Sequence, residues 1–434
     1  MSVLATTQHR FNMRAVDLTK GYLVECVIHH RLDESKNTHL EHLEDLIFND
    51  GLPGGTKAIE YLVGFYEMLK GSAKTKFNLT TKWDGAPAIF AGIDPADNQF
   101  FVGTKGVFNK TPKLNKSLAD IKVNHEAPGL QQKLEQAFIH LKKLNITGVI
   151  QGDLLFTEGD IQNATIKGEE FIVFKPNTII YAIPANSDLA KEILSAKVGI
   201  VFHTEYVGGP TLADMSAKFG YDASGLGNGS SAGVWYRDAI IKDYSGQVTL
   251  TKDESTNLKN SIENANQKLS AISDLEFLKN SEFGVTIKDR LKTSVNKIIR
   301  DQNQFEQDPK AFATAFINDY KKLMRDATSK LKTPANQVKK AETMLKGIEF
   351  IENNQAELEN AYIVYLELIR AKELIVSKLA NVKQIDTFVQ NNEGDYDVTA
   401  EEGFVAVDHI GNAIKLVDRL DFSAKNFGSG RPGA

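Results

Sequence analysis

Phe77-Asn78-Leu79-Thr80-Thr81-Lys82-Trp83-Asp84-Gly85-Ala86-Pro87-Ala88-Ile89-Phe90-Ala91-Gly92-Ile93 decides how the chain is read. Residues 77–81 alternate apolar and polar, the period of a strand with one buried face. Ala86 to Ile93 is a short apolar run, and Asp94-Pro95-Ala96-Asp97-Asn98 turns the chain into a third strand at Phe100-Phe101-Val102. Between the first two strands sits a charged tetrad, Lys82-Trp83-Asp84-Gly85. Four common residue types at this spacing recur by accident, and the plain reading is a surface turn anchored by a Trp. The chemical reading depends on the motifs further along the chain.

Strand texture continues at Gly148–Phe156, Glu170–Phe174, Thr178–Ile183, Val198–His203 and Val234–Ile240, interrupted by one helix with Leu130, Leu134, Phe138, Leu141 and Leu144 on a face. This predicts an α+β fold of antiparallel or mixed sheets rather than repeated βαβ units. Residues 254–383 read as nearly all helix. Leu258, Ile262, Ala265 and Leu269 keep 4-3-4 spacing, Val338, Ala341, Leu345 and Ile348 keep 3-4-3, and Thr333-Pro334 is a helix start. Strands return at Phe404–Val407 and Ile414–Val417.

Upstream, residues 1–37 are mixed, and Thr38-His39-Leu40-Glu41 has the form of a capping box. The short helix it opens should stop at Asp50-Gly51, with a turn at Pro53-Gly54-Gly55 before a second helix over about 57–70. His39, His42 and Asp45 recur every third residue. Without a fourth ligand nearby, a solvated or capping role is favoured over a metal site.

The chain has 434 residues, 42% hydrophobic and 25% charged, which is ordinary for a soluble protein of two or three domains. One cysteine, Cys26, excludes an internal disulfide and suits a reducing cytosol. No apolar run has the length of a membrane span, and the N-terminus lacks a signal-peptide pattern. A formal charge of −5 gives no general attraction to nucleic acid, so any such binding needs a local patch. Residues 281–340 hold thirteen Lys/Arg against seven Asp/Glu. A solvated face is the default for such an excess, and a phosphate-tracking stripe through Lys288, Lys292, Lys297, Arg300, Lys321, Lys322 and Arg325 is the sharper reading.

Six elements succeed one another: Lys82-Trp83-Asp84-Gly85, Thr104-Lys105-Gly106, Gly152-Asp153, the strand ending Phe202-His203, Glu402-Gly403-Phe404-Val405, and Lys415-Leu416-Val417. This series resembles the covalent nucleotidyltransferase superfamily, the ATP-dependent DNA and RNA ligases and mRNA-capping enzymes. The last two elements look most like RNA ligases. The motif resemblance covers roughly residues 77–206 and 398–420. The whole chain, including Thr38-His39-Leu40-Glu41-His42-Leu43-Glu44-Asp45, is similar to a protein family of large tailed bacteriophages.

The resemblance implies an enzyme: Lys82 takes AMP from ATP as a lysyl-AMP intermediate and passes it to a 5′-phosphate end. A lysine must be neutral to attack phosphorus, against a free pKa of about 10.4, and burial and nearby cations favour the neutral form. Asp84 and Lys415 are implied as catalytic partners. Gly85, Lys105, Asp153, Phe202, Glu402, Lys415 and Arg419 are implied to line the nucleotide pocket with Lys82, Asp153 and Glu402 holding Mg²⁺. Phe202, Phe174 or Tyr181 would stack on the base. Two positions depart from the family pattern. Asp153 stands where a Glu is usual, and Val417 replaces the second lysine of the closing motif, with Arg419 two residues on as its substitute.

The resulting plan is an N-terminal helical segment over 1–75, a nucleotidyltransferase core over 76–248 and 393–425, a large all-helical inserted domain over 249–392 and a disordered tail over 426–434. Seventeen residues after Val417 are too few for an OB-fold, so the N-terminal helices and the insertion are expected to grip RNA or a nicked duplex. The insertion itself should be dispensable for uptake of AMP. Residence in the cytoplasm, of an infected bacterium for a phage protein, is expected, with virion association as a variant. The alternatives in function are a phage structural or interaction protein retaining the fold, and transfer of AMP to a protein or small molecule.

Overall fold

The computed structural model describes residues 40–70, 77–240, 250–279, 287–301, 304–380, 386–390, 396–398, 403–408 and 412–419. Residues 1–37, Cys26, Thr38, His39, Glu402, the 426–434 tail and part of the basic 281–340 stretch fall outside them. The chain is a mixed α+β protein. In chain order the described residues form α1 (Leu46–Leu69), β1 (Phe77–Lys82), β2 (Ala88–Ile93), β3 (Phe100–Gly103), α2 (Leu118–Asn124), α3 (Pro128–Leu141) and β4 (Val149–Thr157). Then come β5 (Gln162–Ile166), β6 (Glu169–Phe174), β7 (Ile180–Pro184), α4 (Asp188–Ser195), β8 (Val198–Val207), β9 (Ser216–Phe219), α5 (Gly229–Ala232) and β10 (Val234–Asp238). Five helices come next: α6 (Lys252–Ser270), α7 (Ile287–Arg300), α8 (Pro309–Ser329), α9 (Pro334–Asn353) and α10 (Gln355–Leu379). The last strands are β11 (Asp386–Gln390), β12 (Tyr396–Val398), β13 (Gly403–Asp408) and β14 (Ala413–Leu416).

The described strands form three sheets. Five strands run β10-β8-β4-β2-β3, with β9 added on β8 as a sixth, five run β12-β11-β7-β6-β5, and three run β1-β13-β14. Among the described strands only the β10–β8 pair is parallel, the others being antiparallel. The six-stranded sheet buries one face under α3, where Leu134, Ala137 and Leu141 meet Ile150, Ile200 and Phe202. Its other face packs on the five-stranded sheet, joining Leu155, Phe156, Val201 and Trp235 to Ile172, Phe174, Tyr181 and Ile183. Such alternation along β4 and β8 is the two-residue period of a strand buried on both sides.

The helical segment is no free-standing addition. Leu258, Ile262 and Leu269 of α6, Leu291 and Val295 of α7, and Tyr362, Tyr365 and Leu368 of α10 share one core with α1. Leu79, Phe404, Ala406, Ile414 and Leu416, all from one face of the three-stranded sheet, belong to the same core. β11, inside the segment read as an insertion, pairs with β7.

The α1 region starts later than the capping-box pattern suggests. A 3₁₀ turn at Leu43–Asp45 leads into α1, so Glu41 precedes the helix. α1 kinks at Gly51 and resumes at once, with Pro53 in the first turn after the kink, so 53–55 is helix rather than turn. In α9 the 3-4-3 periodicity gives a helix but not a buried stripe, for Val338 and Leu345 are each 60% exposed. No described helix is long and apolar enough to cross a membrane.

Candidate active site around Lys82

Lys82 is the last residue of β1, paired across the sheet with Gly403. The loop after it fixes its position. Trp83 is buried in the core between the sheets, beside Tyr181 at 5.2 Å between ring centroids. Asp84 is buried too, and both its oxygens are engaged: Asn177 Nδ2 donates to Oδ1 at 2.7 Å, and the amides of Thr178 and Ile179 donate to Oδ2 at 2.7 and 2.8 Å. The Asp84 amide in turn donates to Tyr181 Oη at 2.8 Å. Gly85 lies so close to β4 that a Cβ there would stand 2.6 Å from Asp153 Cβ and 3.0 Å from the Leu154 carbonyl. Each residue of the tetrad thus has a separate physical task, and Asp84 acts as the loop's lock.

Asp84→Ala should leave the buried Ile179 amide and the half-buried Thr178 amide without their acceptor, while the exposed Asn177 turns to water. At about 1–3 kcal/mol for a buried donor left unpaired, this predicts a loss of about 2 kcal/mol and a Tm lower by roughly 2 °C. An unchanged melting curve would remove the lock.

Residues 325 apart in sequence meet beside the tetrad, where Thr80 Oγ1 donates to the Val405 carbonyl. β1 pairs with β13 and β13 with β14, in the rows Lys82–Gly403 and Thr80–Val405–Lys415. Directly paired residues share a face and successive ones alternate. Lys82, Thr80, Gly403, Val405 and Lys415 therefore occupy the face opposite the helical core. Gly403, at φ 141°, lies where a Cβ would approach the Leu416 carbonyl to 2.4 Å, which is why a glycine begins β13. Glu402 precedes it, outside the described residues.

Asp153 sits half-buried on β4 opposite Ala88, with Oδ1 3.6 Å from His203 Nε2. A register shift between Gln151 and Gly152 in the β4–β8 pair skips His203, which lies beside it. Lys105 is exposed at the end of β3, two residues past Gly103, the partner of Phe90. It lies at the same end of the sheet as the Ala88–Asp153 pair. Asp153 offers the hard oxygen donors that suit Mg²⁺, an ion that keeps waters and phosphate oxygens and needs few carboxylates. Among the described residues no group of three or more His, Cys, Asp or Glu forms a metal cage.

Other expected residues are placed elsewhere. Phe202 is fully buried beneath Tyr221 and Tyr236, and Phe174 and Tyr181 are each 1% exposed and stack on one another. None presents an open ring face for a base. β14 ends at Leu416, so the shared strand face expected for Lys415, Val417 and Arg419 breaks there. Val417 joins Trp83 in the core, and Arg419, 9% exposed, is committed to Asp45, Tyr365 and Asn296.

His42 is the residue that the sequence did not single out for this site. It bridges Lys415 in a parallel register. Its Nδ1 is sealed from solvent and has no hydrogen-bond partner among the described residues. Burial, then the charges of Arg419, Lys372, Lys415 and Lys82, hold its imidazole well below the usual histidine range. The solvated role expected for His42 and Asp45 is therefore replaced by a buried one: Asp45 is 5% exposed and meets Arg419 at 2.9 Å. For Arg419 itself, burial disfavours the charge, but Asp45, Tyr365 and Glu44 outweigh it and raise the guanidinium further.

The basic stretch does not form one stripe. Lys292 turns inward to Glu41 and Asn49, and Lys321 pairs with Glu352 at 2.6 Å. Lys297, Arg300, Lys322 and Arg325 are exposed. A groove of about 420 Å³ along β10, between Glu192, Ser195, Trp235 and Arg237, contains none of these residues.

Among known proteins, a family described as being of unknown function, DUF6267, matches residues 37–431 of the chain. No curated protein and no solved structure matches it.

Proposed function

The chain belongs to the DUF6267 family, and we propose that it is an ATP-dependent nucleotidyltransferase of the polynucleotide-ligase kind, with an RNA-ligase-like core and Lys82 as nucleophile. The observation that carries this reading is the common sheet face of Lys82, Gly403 and Lys415, drawn from two distant stretches of chain. Neutral Lys82 Nζ attacks the α-phosphorus of ATP. A P–N bond forms, the bond to the bridging oxygen breaks, pyrophosphate leaves and the amine proton passes to solvent. An oxygen of a 5′-phosphate end then displaces the lysine, and a 3′-hydroxyl displaces AMP to join the strands. Lys415 and Lys105 supply positive charge where phosphate charge develops. Asp153, and Glu402 beside Gly403, are the carboxylates that would hold Mg²⁺, whose charge assists the departure of pyrophosphate.

The test is transfer of label from [α-³²P]ATP to the denatured full-length protein in the presence of Mg²⁺. A chain that folds and takes no label loses the enzyme reading. A second reading, a binding or structural protein on this fold, is favoured by the three sealed aromatic rings and by the burial of Val417 and Arg419. Under that reading the chain holds a nucleotide or nucleic acid without chemistry, or passes AMP nowhere. Transfer of AMP to a protein or small molecule would show as label without strand joining.

For the polynucleotide partner, the α8–α9 hairpin is the better-defined grip. Residues 321–346 carry eight Lys/Arg against two Asp/Glu in a chain of net −5. Apart from Lys321, none of these cations pairs with a described carboxylate, and Lys322, Arg325, Lys339 and Lys346 are exposed. Replacing these four by Ala should weaken binding of a 5′-phosphorylated single-stranded RNA. It should also flatten the slope of log K against log salt by up to about four, since each phosphate contact contributes about one. An unchanged slope would move the grip elsewhere.

A further inference from the structure

The charged cluster beneath His42 takes no part in the chemistry proposed above, yet four parts of the chain meet in it. Lys372 on α10, 1% exposed, donates to Glu44 Oε1 at 2.6 Å, and Glu44 is fully buried. Arg419, just past β14, donates to Asp45 at 2.9 Å, to Tyr365 Oη on α10 at 3.3 Å and to Asn296 on α7, and stands 3.7 Å from Glu44. The same short segment is seated on β14 from its other side. The Lys415 amide donates to the Glu41 carbonyl at 2.9 Å, and His42 bridges Lys415. Residues 41–45 are clamped between the ion cluster and the strand that carries Lys415.

Stability alone is a poor reason for such a cluster, because well-packed apolar side chains of similar volume hold a core as well or better. Charge-assisted bonds differ in being short and directional, and a forked guanidinium fixes several partners at once. A contribution to precise placement is what distinguishes them. We infer that Lys372 and Arg419 are positioning residues for the Lys82–Lys415 face, tying α10 and α7 to the segment against which Lys415 is registered. The inference rests on the nucleotidyltransferase reading for its kinetic consequence, and on the clamp's geometry for its structural one.

The experiment uses the full-length double variant Glu44→Gln with Lys372→Met. Both charges go together, so neither is left buried and unpaired, and an acceptor remains for Arg419. Hydrogen exchange by mass spectrometry should be faster in peptides covering 40–46 and 412–419 and unchanged across β4 and β8. Labelling from [α-³²P]ATP should slow on the order of 10²-fold, the scale of a displacement of about 1 Å at a reacting site. The melting temperature should stay near that of the wild type. Arg419→Lys, which keeps a charge beside Asp45 but loses the fork, should show the same pattern more weakly. A folded double variant with unchanged exchange and labelling overturns the inference, and so does one that fails to fold, since the cluster would then be structural only. A wild type that takes no label overturns the nucleotide reading alone, for the exchange comparison still tests the clamp.

Discussion

After incubation with [α-³²P]ATP and Mg²⁺, the wild-type chain should carry label through denaturing electrophoresis, and Lys82→Ala should carry none. The loss is expected to be complete because the side chain is the atom source of the P–N bond, not a helper to it. Folding should be untouched. The β1–β13 pairing at position 82 uses main-chain groups, and the loop beyond is anchored independently by Trp83 in the core and by Asp84 on Asn177, Thr178 and Ile179. A melting curve that superimposes on the wild type therefore belongs to the prediction. The label on the wild type should be released by acid and survive alkali, as a phosphoramidate does. Label that persists on Lys82→Ala would place the nucleophile elsewhere, with Lys415 on the same sheet face the next to test.

The strands that were legible are those with a buried face. β4, β6, β8 and β13 each bury most of their residues, and their apolar runs announce them. β5 is invisible by the same logic: its Gln162, Asn163 and Thr165 are exposed at the edge of the five-stranded sheet, where pairing needs no apolar pattern. The helix over 334–353 was legible as a helix, but periodicity says only which residues share a face and not that a neighbour will cover it, as Val338 and Leu345 show. The tetrad was readable as a motif, whereas the division of labour among Trp83, Asp84 and Gly85 needed the partners at 153–154 and 177–181. The clamp was least legible. Glu44 and Lys372 lie 328 residues apart, and two acids in Leu43-Glu44-Asp45-Leu46 look like the solvent face of a helix start. The only hint is that both sit inside the apolar run Leu43–Phe48, where a charge has to find a partner or suffer a desolvation cost.

Removing residues 250–390 and closing the gap with a short Gly/Ser linker should give a chain that does not fold cooperatively. The segment read as an insertion shares its core with α1 and with the strand face behind Lys82. Without α6, α7 and α10, the inward faces of Leu79, Phe404, Ile414 and Leu416 and of most of α1 lose their cover. At about 1.5–3 kcal/mol for each large buried side chain, those four strand residues alone account for roughly 6–12 kcal/mol. That is comparable to the whole stability of an ordinary domain, about 5–15 kcal/mol. The deletion also removes Lys372, leaving Glu44 in place without its principal cation, and removes β11, the partner of β7. The expected product is a species that binds a hydrophobic dye, shows no sharp melting transition and takes no label from ATP. A shortened chain that melts cooperatively and still labels on Lys82 would mean that the helices are a true insertion, that the sheet face closes without them, and that their contacts with α1 are incidental to the site.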